Sequence, residues 1–168
     1  MNAKTYKLGD LIEPCDERNA EGKYTIDDVR GISTEKSFIK TKANMDGVSL
    51  NSYKVVNESE FAYASVTSRS GDKIALAFNE EKKSLLVSSI YTTFRVVDQE
   101  KLLPNFLIMY FNRPEFDRYS RFNSWGSARE TFSWADFCDI EITLPSLPVQ
   151  KKYVAIYQSN PRPRAIVI

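Results

Sequence analysis

The side chains best suited to chemistry in this sequence are guanidinium, carboxamide and hydroxyl groups clustered in a polar segment around Trp125. Guanidinium and carboxamide groups can bind the edge of a nucleic-acid base with two hydrogen bonds, and hydroxyls suit phosphate oxygens. Gly126 permits a close approach of the main chain. The candidate nucleic-acid-binding residues of this segment are Arg121, Asn123, Trp125, Ser127 and Arg129. A structural alternative stays open, in which Trp125 belongs to the core and Arg129 pairs with Glu130.

Two further segments carry similar side chains. Residues 65–73 gather hydroxyls around an arginine and contain the turn formers Gly71 and Asp72, and a second hydroxyl-rich group stands at the start of a predicted strand near residue 90. The candidates for base or phosphate contact here are Ser68, Arg69, Lys73, Ser88 and Tyr91. The alternative is a solvated loop and a turn whose hydroxyls bond to their own main chain.

A third basic group lies earlier in the chain. Lys36, Lys40 and Lys42 stand in an irregular stretch and would supply salt-dependent, non-specific affinity for nucleic acid. A solvated surface explains them equally well.

Catalytic chemistry is poorly represented. The chain has no histidine, which excludes Ser-His and Cys-His nucleophile pairs, histidine bases and histidine metal sites. Acidic pairs such as Asp16-Glu17 are adjacent, so they do not converge on one site. We predict a chain that is not an enzyme and has no metal or cofactor. A nuclease based on carboxylate and lysine chemistry is the alternative.

The bulk properties are those of an ordinary soluble domain. The 168 residues are 42% hydrophobic and 27% charged, with a net charge of +1. A domain that binds nucleic acid alone usually has a basic excess, so binding must come from local clusters or partner subunits. Cys15 and Cys138 lack metal or redox spacing; we expect reduced thiols and leave a disulfide open. No signal peptide or membrane-length apolar run is visible, which predicts a cytoplasmic protein.

The elements that must position the candidates are mainly short strands. Alternating or β-branched stretches predict strands at 29–33, 53–56, 60–64, 73–78, 85–87, 91–97 and 140–144. Helices are predicted at 104–112, 114–122, 133–137 with Ser133 as cap, and from Pro148 onward. Residues 6–14 suggest a short helix or turn, and 36–47 an irregular stretch. The expected fold is α+β, with a compact, mostly antiparallel twisted sheet or partial barrel and a few short helices.

The segment IEITLPSLPVQKKYV at 140–154 resembles the end of a target-recognition domain from a type I restriction–modification specificity subunit. In that family a strand ends in a Leu-Pro pair and a long helix follows. Further matches in order are YKLGDLI at 6–12, YKVV with EFAY at 53–63, SRSGDKIA at 68–75, LVSSIYTTFRV at 86–96, the helical stretch at 106–116, and WGSARET at 125–131. Because these weak motifs keep the family's order and spacing, the resemblance covers most of residues 6–157.

The resemblance implies a non-catalytic, sequence-specific reader of double-stranded DNA. In that family each recognition domain reads half of a bipartite site, a modification subunit transfers methyl groups, and a motor-nuclease subunit cleaves. The implied partners are therefore DNA, the modification subunit and the motor-nuclease subunit. The implied domains are a recognition domain at 1–147, the start of a spacer helix at 148–158 and an irregular or disordered tail at 159–168. A homodimer through Val149, Tyr153 and Ile156 is a further expectation.

The sequence departs from the family in two respects. It holds one recognition domain where specificity subunits hold two, and prolines at 161 and 163 interrupt the spacer helix. We expect a truncated or frame-disrupted product, or a designed fragment, that does not assemble a complete enzyme alone. The alternative function is an assembly or decoy module that binds modification subunits with little DNA affinity of its own.

Overall fold

Short antiparallel strands and four helices make up the parts of the chain that the structure, a computed structural model, describes: residues 3–66, 74–122 and 131–160. The strands are β1 (Lys4–Lys7), β2 (Ile12–Cys15), β3 (Arg30–Ile32), β4 (Phe38–Lys40), β5 (Lys54–Val56), β6 (Phe61–Tyr63), β7 (Leu76–Phe78), β8 (Leu85–Val87), β9 (Thr92–Val96) and β10 (Glu141–Leu144). The α-helices are α1 (Pro104–Phe111), α2 (Pro114–Phe122), α3 (Trp134–Cys138) and α4 (Leu147–Ser159).

The central sheet has four strands in the order β2-β9-β6-β7, and every pairing in it is antiparallel. Three two-stranded sheets, β1–β10, β3–β4 and β5–β8, complete the strand pairing within the described residues. The predicted α+β class with antiparallel strands is confirmed. The strands divide among four small sheets, since the pairing partners of β5 and β8 are each other and not the central strands.

Aromatic side chains from the central sheet and the helices form the main core. Phe61 on β6 stacks on Phe94 of the neighbouring β9 with ring centroids 4.9 Å apart, as expected for directly opposed residues of two strands. Phe111 of α1 and Phe137 of α3 approach each other at 5.4 Å. All four rings are fully buried, so burial of aromatic surface contributes to the stability of this core together with the aliphatic side chains around it.

The helices begin where the sequence predicts. Pro104 and Pro114 occupy the first positions of α1 and α2, where a missing amide hydrogen costs nothing. The Ser133 hydroxyl accepts a hydrogen bond from the amide of Asp136 at 3.1 Å, which confirms Ser133 as the cap of α3.

The last helix, α4, packs against α1. The ring of Tyr153 lies 6.3 Å from that of Phe106. Gln150 is fully buried: its carbonyl accepts from the amide of Leu103 at 3.0 Å, and its side-chain nitrogen donates to the carbonyls of Lys101 and Pro145. These bonds fix α4 to the chain that leads into α1. Of the described helices, none combines the length and the apolar character that a membrane span requires.

Two predictions about local structure need correction. Residues 6–14 do contain a short 3-10 helix at Leu8–Asp10, but strands β1 and β2 flank it. The stretch 36–47 is not wholly irregular, because Phe38–Lys40 pairs with β3. Strands β1 and β2 were missed because their alternation is short and their partners β10 and β9 lie far along the chain. Strand β4 was missed because it has only three residues.

The expectation for Lys36 is also wrong. Its side chain is only 5% exposed, and its ammonium group donates to both carboxylate oxygens of Asp117 at 2.7 and 2.9 Å. It therefore belongs neither to a solvated basic face nor to a surface free to bind phosphate. Lys40 and Lys42 are exposed as expected.

Candidate nucleic-acid interface

One end of the central sheet brings together the connections that carry the predicted DNA-binding residues. Tyr63, the last residue of β6, pairs with Leu76 at the start of β7 and with Thr92 at the start of β9. Because these strands are antiparallel, the chain that leaves β6 and the turn that enters β9 lie at the same end. Cys15, the last residue of β2, pairs with Thr93 and adds its following residues to this end.

The chain flanking two of the predicted segments is joined at this end. Val66 forms a β-bridge with Thr131, and the amide of Phe132 donates to the carbonyl of Ser65 at 2.7 Å. The segments 67–73 and 123–130 lie outside the described residues, but the residue before the first segment and the residue after the second meet at this bridge. The predicted residues Ser68, Arg69, Lys73, Asn123, Trp125, Ser127 and Arg129 belong to these two segments and remain predictions.

The third predicted group forms the turn between β8 and β9. The amide of Tyr91 donates to the carbonyl of Ser88 at 3.1 Å, and Ile90 at the tip is 74% exposed. The Tyr91 ring is half-buried beside Val87, and burial raises the pKa of its hydroxyl. Ser88 is also half-buried. The exposed tip of the turn therefore consists of Ser89 and Ile90, and the two candidates Ser88 and Tyr91 flank it.

Arg121 lies in the last turn of α2, immediately before the segment 123–130. Its side chain is exposed, as is that of Phe122, which is 82% accessible. Arg121 is thus placed at the start of the segment that carries Asn123 and Arg129.

Two basic residues that sequence reasoning missed lie at the same end of the sheet. Arg18 forms a β-bridge with Lys54, and Lys54 pairs in turn with Val87, next to the Ser88 turn. Both cations contact Asp16, at 2.7 Å from Arg18 and 3.6 Å from Lys54. The hydrogen bond from Arg18 is the main reason that the pKa of Asp16 is lowered.

No sequence pattern marks Arg18 and Lys54 as a pair, because they lie 36 positions apart and the residues between them follow no regular period. The only local hint is the alternation of Asp16 and Arg18 at the end of β2. Their proximity follows from pairing of β5 with β8, which places Lys54 beside the turn.

A rigid aromatic layer lies beneath this end of the sheet. The Tyr63 ring stacks on Phe137 at 4.7 Å and on Trp134 at 6.3 Å. The Tyr63 hydroxyl is buried, and no described residue meets hydrogen-bonding geometry with it. Burial is the main cause of its raised pKa, and nearby Thr92 opposes the shift. Tyr63 and Trp134 are each three residues from the bridge between Val66 and Thr131, so the layer packs beside the chain that leads into the two segments.

Within residues 3–66, 74–122 and 131–160 no group of three or more cysteine, aspartate or glutamate side chains is arranged to hold a metal ion. The arrangement at this end of the sheet can offer hydrogen bonds and positive charge from several connections to one ligand surface. Contacts of this kind match the needs of a nucleic-acid backbone and base edges.

Comparison with protein families decides the assignment. A model of the type I restriction modification DNA specificity domain matches residues 2–159. The chain belongs to this family. A DNA specificity domain is the recognition component of a type I system and not its catalytic one, so the predicted family and the prediction that the chain is no enzyme are confirmed. Comparison with curated protein sequences gave no match.

Solved structures show the same fold as this DNA specificity domain. It is similar to the HsdS subunit from Thermoanaerobacter tengcongensis, with 18% identity, a TM-score of 0.64, and coverage of 94% of this chain and 41% of that one. It is also similar to the type I restriction-modification S subunit from M. genitalium, with 12% identity, a TM-score of 0.58, and coverage of 95% and 39%. The chain thus spans about two fifths of the length of these solved subunits.

Proposed function

We propose that this DNA specificity domain recognises one half of a bipartite sequence in double-stranded DNA and supplies that specificity to a type I restriction–modification complex. The observation that carries the proposal is that chain flanking two predicted DNA-binding segments, and the turn that carries the third predicted group, lie at one end of the central sheet. The Val66–Thr131 bridge joins the chain beside the two segments, and the register of β6 with β9 brings in the third group.

The physical argument rests on geometry and charge. A recognition surface needs side chains with paired donors on projecting connections, together with cations that contact phosphate. Arg69, Asn123 and Arg129 would supply the first kind. Arg18 and Lys54 add the second kind at the same end: their side chains are 37% and 13% exposed, and the Asp16 carboxylate that they share is 66% exposed, unlike the largely buried partner of Lys36. Asp16 holds these two cations in place and would be exchanged for phosphate when DNA binds.

The partners follow from the same proposal. A net charge of +1 is small for a domain that binds DNA by itself, which supports assembly with a modification subunit and, through it, a motor-nuclease subunit. We propose that the complex acts in the cytoplasm. We further propose that α4, taken as the start of a spacer at 148–158 after a recognition domain at 1–147, pairs with another helix.

The exposure of the side chains on α4 indicates which of them could form the proposed homodimer contact. Ile156 is 57% exposed and available to a second helix. Val149 is half-buried, and Tyr153 packs on Phe106 of its own domain. A self-pairing interface would therefore centre on Ile156, with Val149 and Tyr153 at its edge.

The near-neutral charge favours one second candidate, an assembly or decoy module that binds a modification subunit without useful DNA affinity. Enrichment of random-sequence duplexes by the full chain, alone and with its modification subunit, separates the two. Recovery of a common sequence in either condition supports recognition. Stable assembly with the modification subunit but no enrichment in either condition would reject recognition and favour the decoy.

A further inference from the structure

The helix that leads into the segment 123–130 has a narrow apolar contact with the core. Of the nine residues of α2, only Phe116 and Ser120 are buried, and Phe116 packs on Phe111 with ring centroids 4.8 Å apart. Tyr119, 39% exposed, also lies edge-on to Phe132 with ring centroids 6.3 Å apart. This small set of ring contacts resists separation of the helix from the core. It resists rotation or sliding less well, because dispersion contacts are not directional.

A directional contact is present on the same helix. Asp117 accepts two hydrogen bonds from the Lys36 ammonium group, at 2.7 and 2.9 Å, and the two side chains are 15% and 5% exposed. The residues are 81 positions apart in the sequence. The pair therefore ties α2 to the turn between β3 and β4.

The conformation of the turn between β3 and β4 places Lys36 where it reaches Asp117. Lys36 has a φ of 56°, in the left-handed region that residues other than glycine and asparagine avoid. Its amide donates to the carbonyl of Ser33 at 3.1 Å, and the Ser33 amide donates to the carbonyl of Ser37 at 2.9 Å. Backbone strain held in place by surrounding structure is typical of functional positions.

The energetics of buried ion pairs argue against a role in stability alone. Removing two charges from water offsets most of their attraction, and apolar replacements of similar volume often leave stability unchanged or increased. Where such pairs matter, they fix one arrangement among several of similar energy. In α2 the competing arrangements are small rotations and shifts along its axis.

We propose that the Lys36–Asp117 pair is a positioning device for DNA recognition, which sets the placement of α2 and of Arg121 in its last turn. This inference rests on the proposed function. Asp117 lies five residues before Phe122, about 7.5 Å along the helix axis. A change in the rotation of α2 at Asp117 therefore moves Arg121.

The test is the double variant Lys36→Met with Asp117→Leu in the full chain, assembled with its modification subunit. The probes are the duplex that the wild-type chain enriches and a random-sequence duplex. We expect the ratio of the two affinities to fall about tenfold, in the range of one mismatched base pair. The melting temperature and the affinity for random DNA should change little.

The matched control removes another Lys–Asp pair. Lys7 and Asp139 are joined at 3.0 Å but are 59% and 65% exposed, and neither residue belongs to α2. The variant Lys7→Met with Asp139→Leu should keep the wild-type ratio. The exchanged pair, Lys36→Asp with Asp117→Lys, preserves the ion pair and should retain more discrimination than the apolar double variant.

The outcomes separate the inference from the proposed function. If the wild-type chain enriches no sequence, the proposed function fails and the inference with it. If it enriches a sequence and the folded apolar variant keeps the same affinity ratio, only the inference is overturned. Loss of folding in both Lys36–Asp117 variants would also overturn it, because the pair would then serve stability.

Discussion

Substitution of Arg129 distinguishes a contact to a base from a contact to phosphate, because the two contacts predict different changes in DNA affinity. A guanidinium that binds a base edge discriminates between sequences, whereas one that binds phosphate does not. We expect Arg129→Ala to weaken binding to the enriched duplex by about 1–3 kcal/mol and binding to random duplex much less. Fluorescence anisotropy with both duplexes measures this, and Lys152→Ala, on the exposed side of α4, is the control. An equal loss on both duplexes would make Arg129 a phosphate contact.

Arg18 and Lys54 should act through charge. Each phosphate contact removed should reduce the slope of log affinity against log salt by about 0.9. We therefore expect Arg18→Ala and Lys54→Ala each to flatten the salt dependence and to weaken random and enriched duplexes alike. Lys101→Ala is the control, because Lys101 follows the opposite end of β9. An unchanged slope in both variants would remove these residues from the interface.

Individual residues were the part of the site that sequence could predict least. The side-chain types in residues 65–73 and 121–131 indicate DNA contact without any knowledge of the fold. The prediction that Lys36 is exposed to solvent was wrong, because its carboxylate partner lies 81 positions away in the sequence. A lysine in a polar stretch ordinarily stays in solvent. Arg18 and Lys54 were missed for the complementary reason, since only strand pairing brings them to the candidate surface.

At the scale of elements, the contact between the first 3-10 helix and α3 depends on a glycine. A Cβ at Gly9 would lie 2.8 Å from the Cβ of Cys138 and 3.3 Å from its carbonyl oxygen. Gly9→Ala should therefore lower the free energy of unfolding by about 1–3 kcal/mol, as overpacking does. Chemical denaturation measures it.

Gly31→Ala is the matched control for this substitution. Its Cβ would meet only Ile39 Cγ1 at 3.9 Å, an ordinary contact. Gly31 lies in β3, where alanine is tolerated. If the two variants lose equal stability, the close approach at Gly9 is not the cause.

The connection between α4 and the domain depends on Gln150. Replacing it with leucine leaves the Leu103 amide and the carbonyls of Lys101 and Pro145 without their bonds. We expect Gln150→Leu to cost about 2–4 kcal/mol of unfolding free energy, because orphaned buried polar groups keep their desolvation penalty. Thermal melts of the two variants measure this loss. Gln158→Leu, on the exposed part of the same helix, is the control and should cost little stability. Similar losses for the two glutamines would show that α4 is not held by these bonds.

Elements with strong local signals were predicted closely. Alternating and β-branched residues located β5, β6, β8 and β9, and the prolines and Ser133 located the starts of α1, α2 and α3. The sequence did not predict β1, because its partner β10 lies 138 residues away at the Thr5–Thr143 position. Nor did it predict that the strands divide among separate sheets, since local patterns carry no information about which strands pair.

At the scale of the whole molecule, the near-neutral charge should make DNA binding depend on assembly. A net charge of +1 gives little long-range attraction to a polyanion at a salt concentration of about 0.15 M. Adding the modification subunit should raise affinity for the enriched duplex by at least about tenfold, because more cations then face the backbone. Titrations with and without that subunit measure the change. Equal affinities in the two titrations would mean that the isolated chain is a sufficient reader.

The bridge between Val66 and Thr131 has a consequence for how new specificities arise. Val66, just before residues 67–73, and Thr131, just after residues 123–130, are joined by this bridge, and the amide of Phe132 donates to the carbonyl of Ser65. A change of length or conformation in one segment would therefore act on the chain that anchors the other. The two stretches should therefore be inherited and grafted together, as a single cassette. If only one of the two stretches were transferred to another domain, its anchoring residues would pair with those of an unrelated second stretch.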